Sequence, residues 1–137
     1  MVTVSIGKRA MDHWATQRLI DWASGKNGAE KTKANLRRDI DEFAADLAGP
    51  TPSPVERVLA ETAAVSWFAL RLAEAQWAAA ATTEGGLSLN QSEHCQRRVD
   101  RAHRRLMITL KTLATVRRLG IPAIQVNLAH QQVNVAN

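Results

Sequence analysis

The sequence predicts an all-α protein, built on one long antiparallel helical hairpin that packs with two shorter N-terminal helices and ends in a short β-like tail. Ala and Leu dominate the composition, and both favour helix. Apolar residues recur at three-to-four spacing in four segments, the period of an amphipathic helix. Gly and Pro fall between those segments. With 137 residues, 45% of them hydrophobic, the chain fits one helical domain over 1–121 and a tail over 122–137.

Two short helices are predicted first, over about 10–23 and 30–47. The segment 24–28 separates them and contains two Gly and one Asn, residues that tolerate turn conformations. Each helix carries one apolar stripe and an opposite polar face. The stripes consist of Met11, Trp14, Ala15, Leu19 and Trp22 in the first helix, and of Leu36, Ile40, Phe43, Ala44 and Leu47 in the second.

The third helix is predicted over 54–81, after a Pro-rich connection. Ser53 and Glu56 have the spacing of a capping box, and Pro54 suits the first helical position. Apolar residues follow two separate stripes, so we expect this helix to lie between neighbours. One stripe contains Trp67, Leu70 and Trp77, which are candidates for a subunit interface because Trp is enriched at interfaces.

The fourth helix is predicted over 89–119, with Ser88 and Gln91 as a second capping box and with Gly120 and Pro122 as stop signals. A short loop containing Gly85 and Gly86 precedes it, so the third and fourth helices should run antiparallel. Their matched apolar stripes should pack at a shallow angle.

The tail changes character, because apolar and amide residues alternate at period two, as in short strands. Such strands need a partner to be stable. They could pair with a neighbouring subunit, or the tail could be disordered. The tail residues predicted to contribute to a homo-oligomer interface are Ile124, Val126, Leu128, Val133 and Val135.

Positive charge is concentrated in the last third of the chain. Residues 88–137 hold eight Lys or Arg and two Asp or Glu, so their net charge is +6, whereas the net charge of the whole chain is +5. Cations spaced by four, three, seven and seven residues share one face of the fourth helix, and two more Arg flank it. This face could track nucleic-acid phosphates, or it could be a solvated surface paired with acids of the third helix. The candidate nucleic-acid contacts are Arg97, Arg98, Arg101, Arg104, Arg105, Lys111 and Arg118.

The first two helices could also be interpreted as a DNA-reading helix-turn-helix, with contacts from cations near the start of the second helix. Acids on that helix would repel phosphate, so a simple helical pair is the preferred interpretation. The cations concerned are Lys26, Lys31, Lys33, Arg37 and Arg38.

Nothing in the sequence indicates an enzyme, a cofactor or a metal site. The four His are scattered, the single Cys95 lies on an apolar stripe, and no phosphate loop or nucleophile motif is present. No apolar run reaches the roughly 18 residues of a membrane span. One cysteine and no apolar leader lead us to expect a cytoplasmic protein without a membrane partner.

Two stretches carry a resemblance to known proteins. PSPVERVLAE at 52–61, and RAHRRL at 101–106 continuing through KTLATVRRL at 111–119 to QVN at 125–127, resemble small uncharacterised helical proteins of bacteria and their mobile elements. The order of elements is similar to that of phage small terminase subunits, which have N-terminal DNA-binding helices, a ring-forming hairpin and C-terminal strands. That resemblance implies an oligomer that binds DNA, although the N-terminal helices here are nearly neutral.

These observations favour a non-enzymatic, oligomeric nucleic-acid-binding protein of phage or mobile-element origin. The alternative is a protein-binding adaptor or regulator, in which the Arg-rich helix and the tail contact a partner protein.

Overall fold

A computed structural model describes the backbone of residues 15–25 and 28–135, and the side chains of these residues up to Gly120. Most of the described residues are helical and none of them forms a strand, so the predicted all-α class is confirmed. Helix α1 covers 15–24, α2 covers Glu30–Ala48, α3 covers Pro54–Thr82 and α4 covers Leu89–Val135.

Both predicted capping boxes are present. The backbone N–H of Glu56 donates to Ser53 Oγ at 3.2 Å, and the Ser53 N–H donates to Glu56 Oε2 at 2.7 Å. Before α4, the N–H of Gln91 donates to Ser88 Oγ at 3.3 Å, and that of Ser88 to Gln91 Oε1 at 2.9 Å. Each box satisfies two donors that would otherwise lack a partner at a helix start, which fixes where α3 and α4 begin.

One part of the core joins α1, α2 and α3. Ile20 of α1 and Ile40 of α2 pack with Ala64 and Phe68 of α3, all four of them buried. The predicted stripe of the second helix thus faces α3. For the first helix the predicted stripe is only partly right: Leu19 packs on the cluster, but the buried residue is Ile20, which lies outside that stripe, and Ala15 and Trp22 are exposed. Half-buried residues complete this cluster, among them Leu19, Leu36, Phe43, Ala44 and Trp67.

A second part of the core joins α3 to α4. Ala63 and Leu70 of α3 are buried against Leu106 of α4, with Val99, Ala102 and Leu110 packed around them. Polar contacts fix the direction of the two helices. Gln76 near the end of α3 meets Arg98 near the start of α4, and Glu56 at the start of α3 meets Arg117 further along α4. The packed stretches of α3 and α4 therefore run in opposite directions.

The structure differs from the prediction in the last segment, where α4 continues past Pro122 to Val135. Over 121–135 the structure shows helix, so the predicted β-like tail is not confirmed. A proline removes one backbone donor and is costly inside a helix, but it leaves the other hydrogen bonds of the helix available. Ala123, Leu128 and Ala129 favour helix, which opposes the period-two pattern of the same segment.

None of the helices within 15–25 and 28–135 combines the length and the apolar character that a membrane crossing requires.

Candidate nucleic-acid interface

Helix α4 has an inner face that packs and an outer face that carries the predicted cations. Leu106 and Leu113 on the inner face are 7% and 3% exposed. At 3.6 residues per turn, the stripe through Arg97, Arg101 and Arg104 lies on the opposite side of the helix from Leu106. The structure leaves all seven predicted contact residues exposed. Six lie on the outer half of α4, whereas Arg98 lies at the border with the inner face and donates to Gln76 of α3. The six are Arg97, Arg101, Arg104, Arg105, Lys111 and Arg118.

Among the described residues, only two of these cations have a side-chain partner. Arg97 forms an ion pair with Glu93, 3.0 Å between Nη2 and Oε2, and Arg98 donates to Gln76 Oε1 at 3.4 Å. Within the described part of the chain no ion pair involves the remaining five, which are Arg101, Arg104, Arg105, Lys111 and Arg118. We refer to these five residues as the open cation set.

The acids of α3 do not neutralise the open cation set. Glu56 pairs with Arg117, at 3.2 Å between Oε1 and Nε, and Glu74 pairs with Arg71 of its own helix at 3.0 Å. Asp100, the acid that lies among the cations on α4, is exposed and forms no ion pair within the described residues. The outer face therefore keeps an excess of positive charge that ion pairs between the described residues do not remove.

Arg117 was not among the predicted site residues, and it has a different role from its neighbour Arg118. Its guanidinium donates to the carbonyl oxygens of Leu47 and Ala48, the latter at 2.9 Å, and to Glu56 Oε1. Those carbonyls belong to the last turn of α2, where no intrahelical donor is available. Arg117 thus links α4 to the end of α2 and the start of α3. Its spacing of four from the inner-face Leu113 is the signal in the sequence that places it on the packed side.

The backbone at the end of α2 permits this link. Gly49 has a φ of +80°, a left-handed conformation that favours glycine. A Cβ at Gly49 would lie 3.9 Å from Nη2 of Arg117, an ordinary contact, so the backbone conformation and not crowding explains the glycine.

The contacts at the meeting point of α2, α3 and α4, which we call the junction of these helices, also favour the ionised form of Glu56. The backbone N–H of Ser53 is the largest cause that lowers the pKa of Glu56 below its ordinary value; the Ser53 hydroxyl and the Arg117 guanidinium act in the same direction. Charge-assisted hydrogen bonds of this kind favour the carboxylate over the acid.

The cations near the start of α2, considered above as helix-turn-helix contacts, are largely paired. Lys33 lies 3.4 Å from carboxylate oxygens of both Asp21 and Glu30. Arg37 and Arg38 pair with acids one turn later in the same helix, Asp41 and Glu42. Lys31 is exposed, and Lys26 lies outside the described residues. Positive charge on α2 is therefore locally compensated, unlike that on α4.

The predicted interface residues of α3 are engaged within the subunit to different degrees. Leu70 is 6% exposed and packs against Leu106. Trp67 is half-buried between the two core clusters, with its ring centroid 5.0 Å from that of Phe43 and 5.9 Å from the Arg71 guanidinium carbon. Trp77 is half-buried near the end of α3. The side chains of Ile124, Val126, Leu128, Val133 and Val135 lie outside the described part, and a subunit interface stays a prediction.

A groove of about 710 Å³ is lined by residues of α1, α2 and α3. Its polar lining includes Arg37, Asp41, Arg57 and Glu61, so both signs of charge are present. Among the described residues, no cluster of three or more His, Cys, Asp or Glu side chains could hold a metal ion.

Comparison of the chain with protein-family models, with curated proteins and with solved structures finds no match of any of the three kinds.

Proposed function

We propose that this chain is a nucleic-acid-binding protein whose ligand is the phosphate backbone, bound along the outer face of α4. The observation that carries the proposal is the open cation set, five exposed side chains on one half of a helix with no ion pair within the described part of the subunit. Other cations of the chain, such as Arg37, Arg38 and Arg71, pair with acids of their own helices.

The chemistry of the face suits phosphate. Four members of the open cation set are Arg, whose planar guanidinium donates two parallel hydrogen bonds to phosphate oxygens. Binding releases the counterions condensed on the nucleic acid, so affinity should fall steeply as salt increases. Contacts to phosphate position a protein without reading sequence, and we therefore expect binding with little sequence preference.

The test is fluorescence anisotropy with labelled oligonucleotides, single-stranded and duplex, across a salt series. The variant R97E/R101E/R104E reverses three charges on the outer face of α4. The matched control, K31E/R38E/R71E, makes the same change in net charge at exposed positions on α2 and α3. We expect the first variant to lose binding and the control to retain most of it.

Two results would contradict the proposal. If the control variant loses as much affinity as R97E/R101E/R104E, net charge and not this face determines binding. If the native chain binds neither oligonucleotide at low salt, the outer face has another ligand. Circular dichroism of each variant would show that the helices are retained.

A specific observation favours the second candidate, an adaptor that binds an acidic partner protein. Met107, Ile108 and Leu119 on α4 are more than half exposed, and Ile108 lies within the cation stripe. Arg and Met are enriched at protein interfaces, and exposed apolar side chains contribute to them more than to phosphate binding. Under this candidate, M107A/I108A weakens partner binding, whereas nucleic-acid binding through phosphates would be nearly unchanged.

Assembly into a homo-oligomer is a further part of the proposal. It is supported by Trp77, which keeps part of its surface outside the core. The N-terminal helices followed by a hairpin are similar in order to those of phage small terminase subunits, which is also the basis for a phage or mobile-element origin, but the C-terminal strands of those proteins have no counterpart among the described residues. Multi-angle light scattering of the full chain is the test, and the mass of a monomer at micromolar concentration would contradict assembly.

A further inference from the structure

We infer that the nucleic acid bound by the outer face of α4 is double-stranded and that the face spans about one helical turn of it. The inference rests on the proposed function and specifies its ligand. Three properties of the face support it: the length over which the cations are distributed, the absence of Phe, Trp and Tyr, and the fixed geometry of a helix packed along its inner side.

The length of the face matches one turn of duplex. Twenty-one residues separate Arg97 from Arg118, about 32 Å at a rise of about 1.5 Å per residue. One turn of B-form DNA is about 34 Å long and contains about 10 base pairs. A row of cations of this length can meet phosphates at both ends of a rigid duplex turn.

The face lacks the groups that hold single strands. Proteins that bind single strands stack the bases on aromatic side chains, in addition to contacting the backbone. Helix α4 contains no Phe, Trp or Tyr in the whole range Leu89–Val135, and the rings among its described side chains are those of the exposed His94 and His103. Trp67 and Phe68 belong to α3 and are packed in the core. A single strand would therefore gain phosphate contacts on this face, with stacking only on Arg or His side chains and none on Phe, Trp or Tyr.

The geometry of the face is fixed before the ligand arrives. Leu106 and Leu113 are buried on the inner side of α4, and Arg117 ties the helix to α2 and α3. A duplex also has a fixed shape and a high charge density, about one charge per 1.7 Å of its axis. Two rigid partners lose little conformational freedom on binding, whereas a flexible single strand would have to be ordered along the helix.

The experiment uses the full native chain and competition for one labelled duplex. The competitors are a single strand without self-complementarity and three hairpins closed by the same loop, with stems of about 5, 10 and 20 base pairs, which bracket one turn. We expect the hairpin with a stem of about one turn to compete about tenfold better than the single strand. Affinity should rise steeply between the first two stems and only weakly between the second and the third.

The outcomes separate this inference from the proposed function. If the single strand competes as well as the hairpins and R97E/R101E/R104E still loses binding, the outer face binds nucleic acid but the preference for duplex is wrong. If the shortest stem competes as well as the longest, a contact of one turn is wrong. If no oligonucleotide binds, the proposed function fails together with the inference.

Discussion

The two faces of α4 are built from the same helix but differ in what surrounds them. On the inner face, Leu106 and Leu113 are buried among residues of neighbouring helices, and polar contacts are made mainly at the ends of the packed stretch. On the outer face, the open cation set lies in solvent, and no described acid pairs with it. The inner face accounts for folding, and the outer face is available for a ligand.

Two adjacent arginines show most clearly how the inner and outer faces of α4 differ. Arg117 and Arg118 have the same chemistry, yet Arg117 donates hydrogen bonds to α2 and α3, whereas Arg118 is exposed and has no ion pair among the described residues. A helix turns by about 100° per residue, so adjacent side chains point in different directions. Position on the helix, and not residue type, separates a structural Arg from a candidate binding Arg.

The largest expected effect on stability comes from truncating a buried side chain on the inner face. Leu106→Ala should lower the free energy of unfolding by about 2–5 kcal/mol, because the side chain is 7% exposed and its loss leaves a cavity. Ile108→Ala is the control two residues away; it is 58% exposed and should change stability by about 0.5 kcal/mol or less. Urea denaturation followed by circular dichroism measures both, and equal losses would show that the two faces are not distinct.

The next effect separates the two adjacent arginines. Arg117→Ala removes three hydrogen bonds between helices, so it should lower the midpoint of urea denaturation while leaving nucleic-acid affinity of the folded protein nearly unchanged. Arg118→Ala should do the reverse, with an unchanged midpoint and weaker binding.

Both variants lose one positive charge, which makes each the control for the other. A midpoint that falls equally in both would remove the distinction between a structural and a binding arginine at this end of α4. An affinity that falls equally in both would indicate a response to net charge alone.

A smaller effect should appear as a dependence of stability on pH. The folded protein lowers the pKa of Glu56, chiefly through the Ser53 N–H, below the ordinary value of 4.5. The carboxylate therefore contributes stability that is fully present above 4.5 and is lost as the pH falls through the lower, folded-state pKa. Glu56→Gln retains a residue that can complete the capping box but removes the charge.

We therefore expect Glu56→Gln to reduce thermal stability at neutral pH and to have a diminishing effect as the solution is acidified. Thermal melts of the native chain and the variant at several pH values give the comparison. A difference that stays constant into strong acid would show that the ionised carboxylate does not stabilise the junction of α2, α3 and α4.

Local patterns in the sequence were sufficient to predict the helical class, both capping boxes and the side of α4 on which the cations lie. Spacing and cap chemistry act over a few residues, so they can be recognised without the fold. The spacing of Arg117 from Leu113 indicates its side of α4, but its partners could not be identified in this way, because Leu47, Ala48 and Glu56 are distant in the sequence. The burial of Leu70 against Leu106 is likewise a property of tertiary packing.

The end of α4 was the least predictable region. Gly120 and Pro122 are strong local stop signals, and the alternation after them is typical of strands, yet the helix extends to Val135. Two local preferences conflict there, and a helix already nucleated over many residues can extend through a weak segment more easily than a new strand can form without a partner.

The salt dependence of binding tests the central claim most directly. We would measure the dissociation constant of the native chain and of R101A/R104A for a duplex of about 20 base pairs, two helical turns, over a range of salt concentrations. The slope of log affinity against log salt should be about −4 to −5 if the five residues of the open cation set each meet a phosphate, and shallower by about 2 in the variant. A slope near zero, or one that the variant leaves unchanged, would contradict the assignment of the outer face of α4 as a phosphate-binding surface.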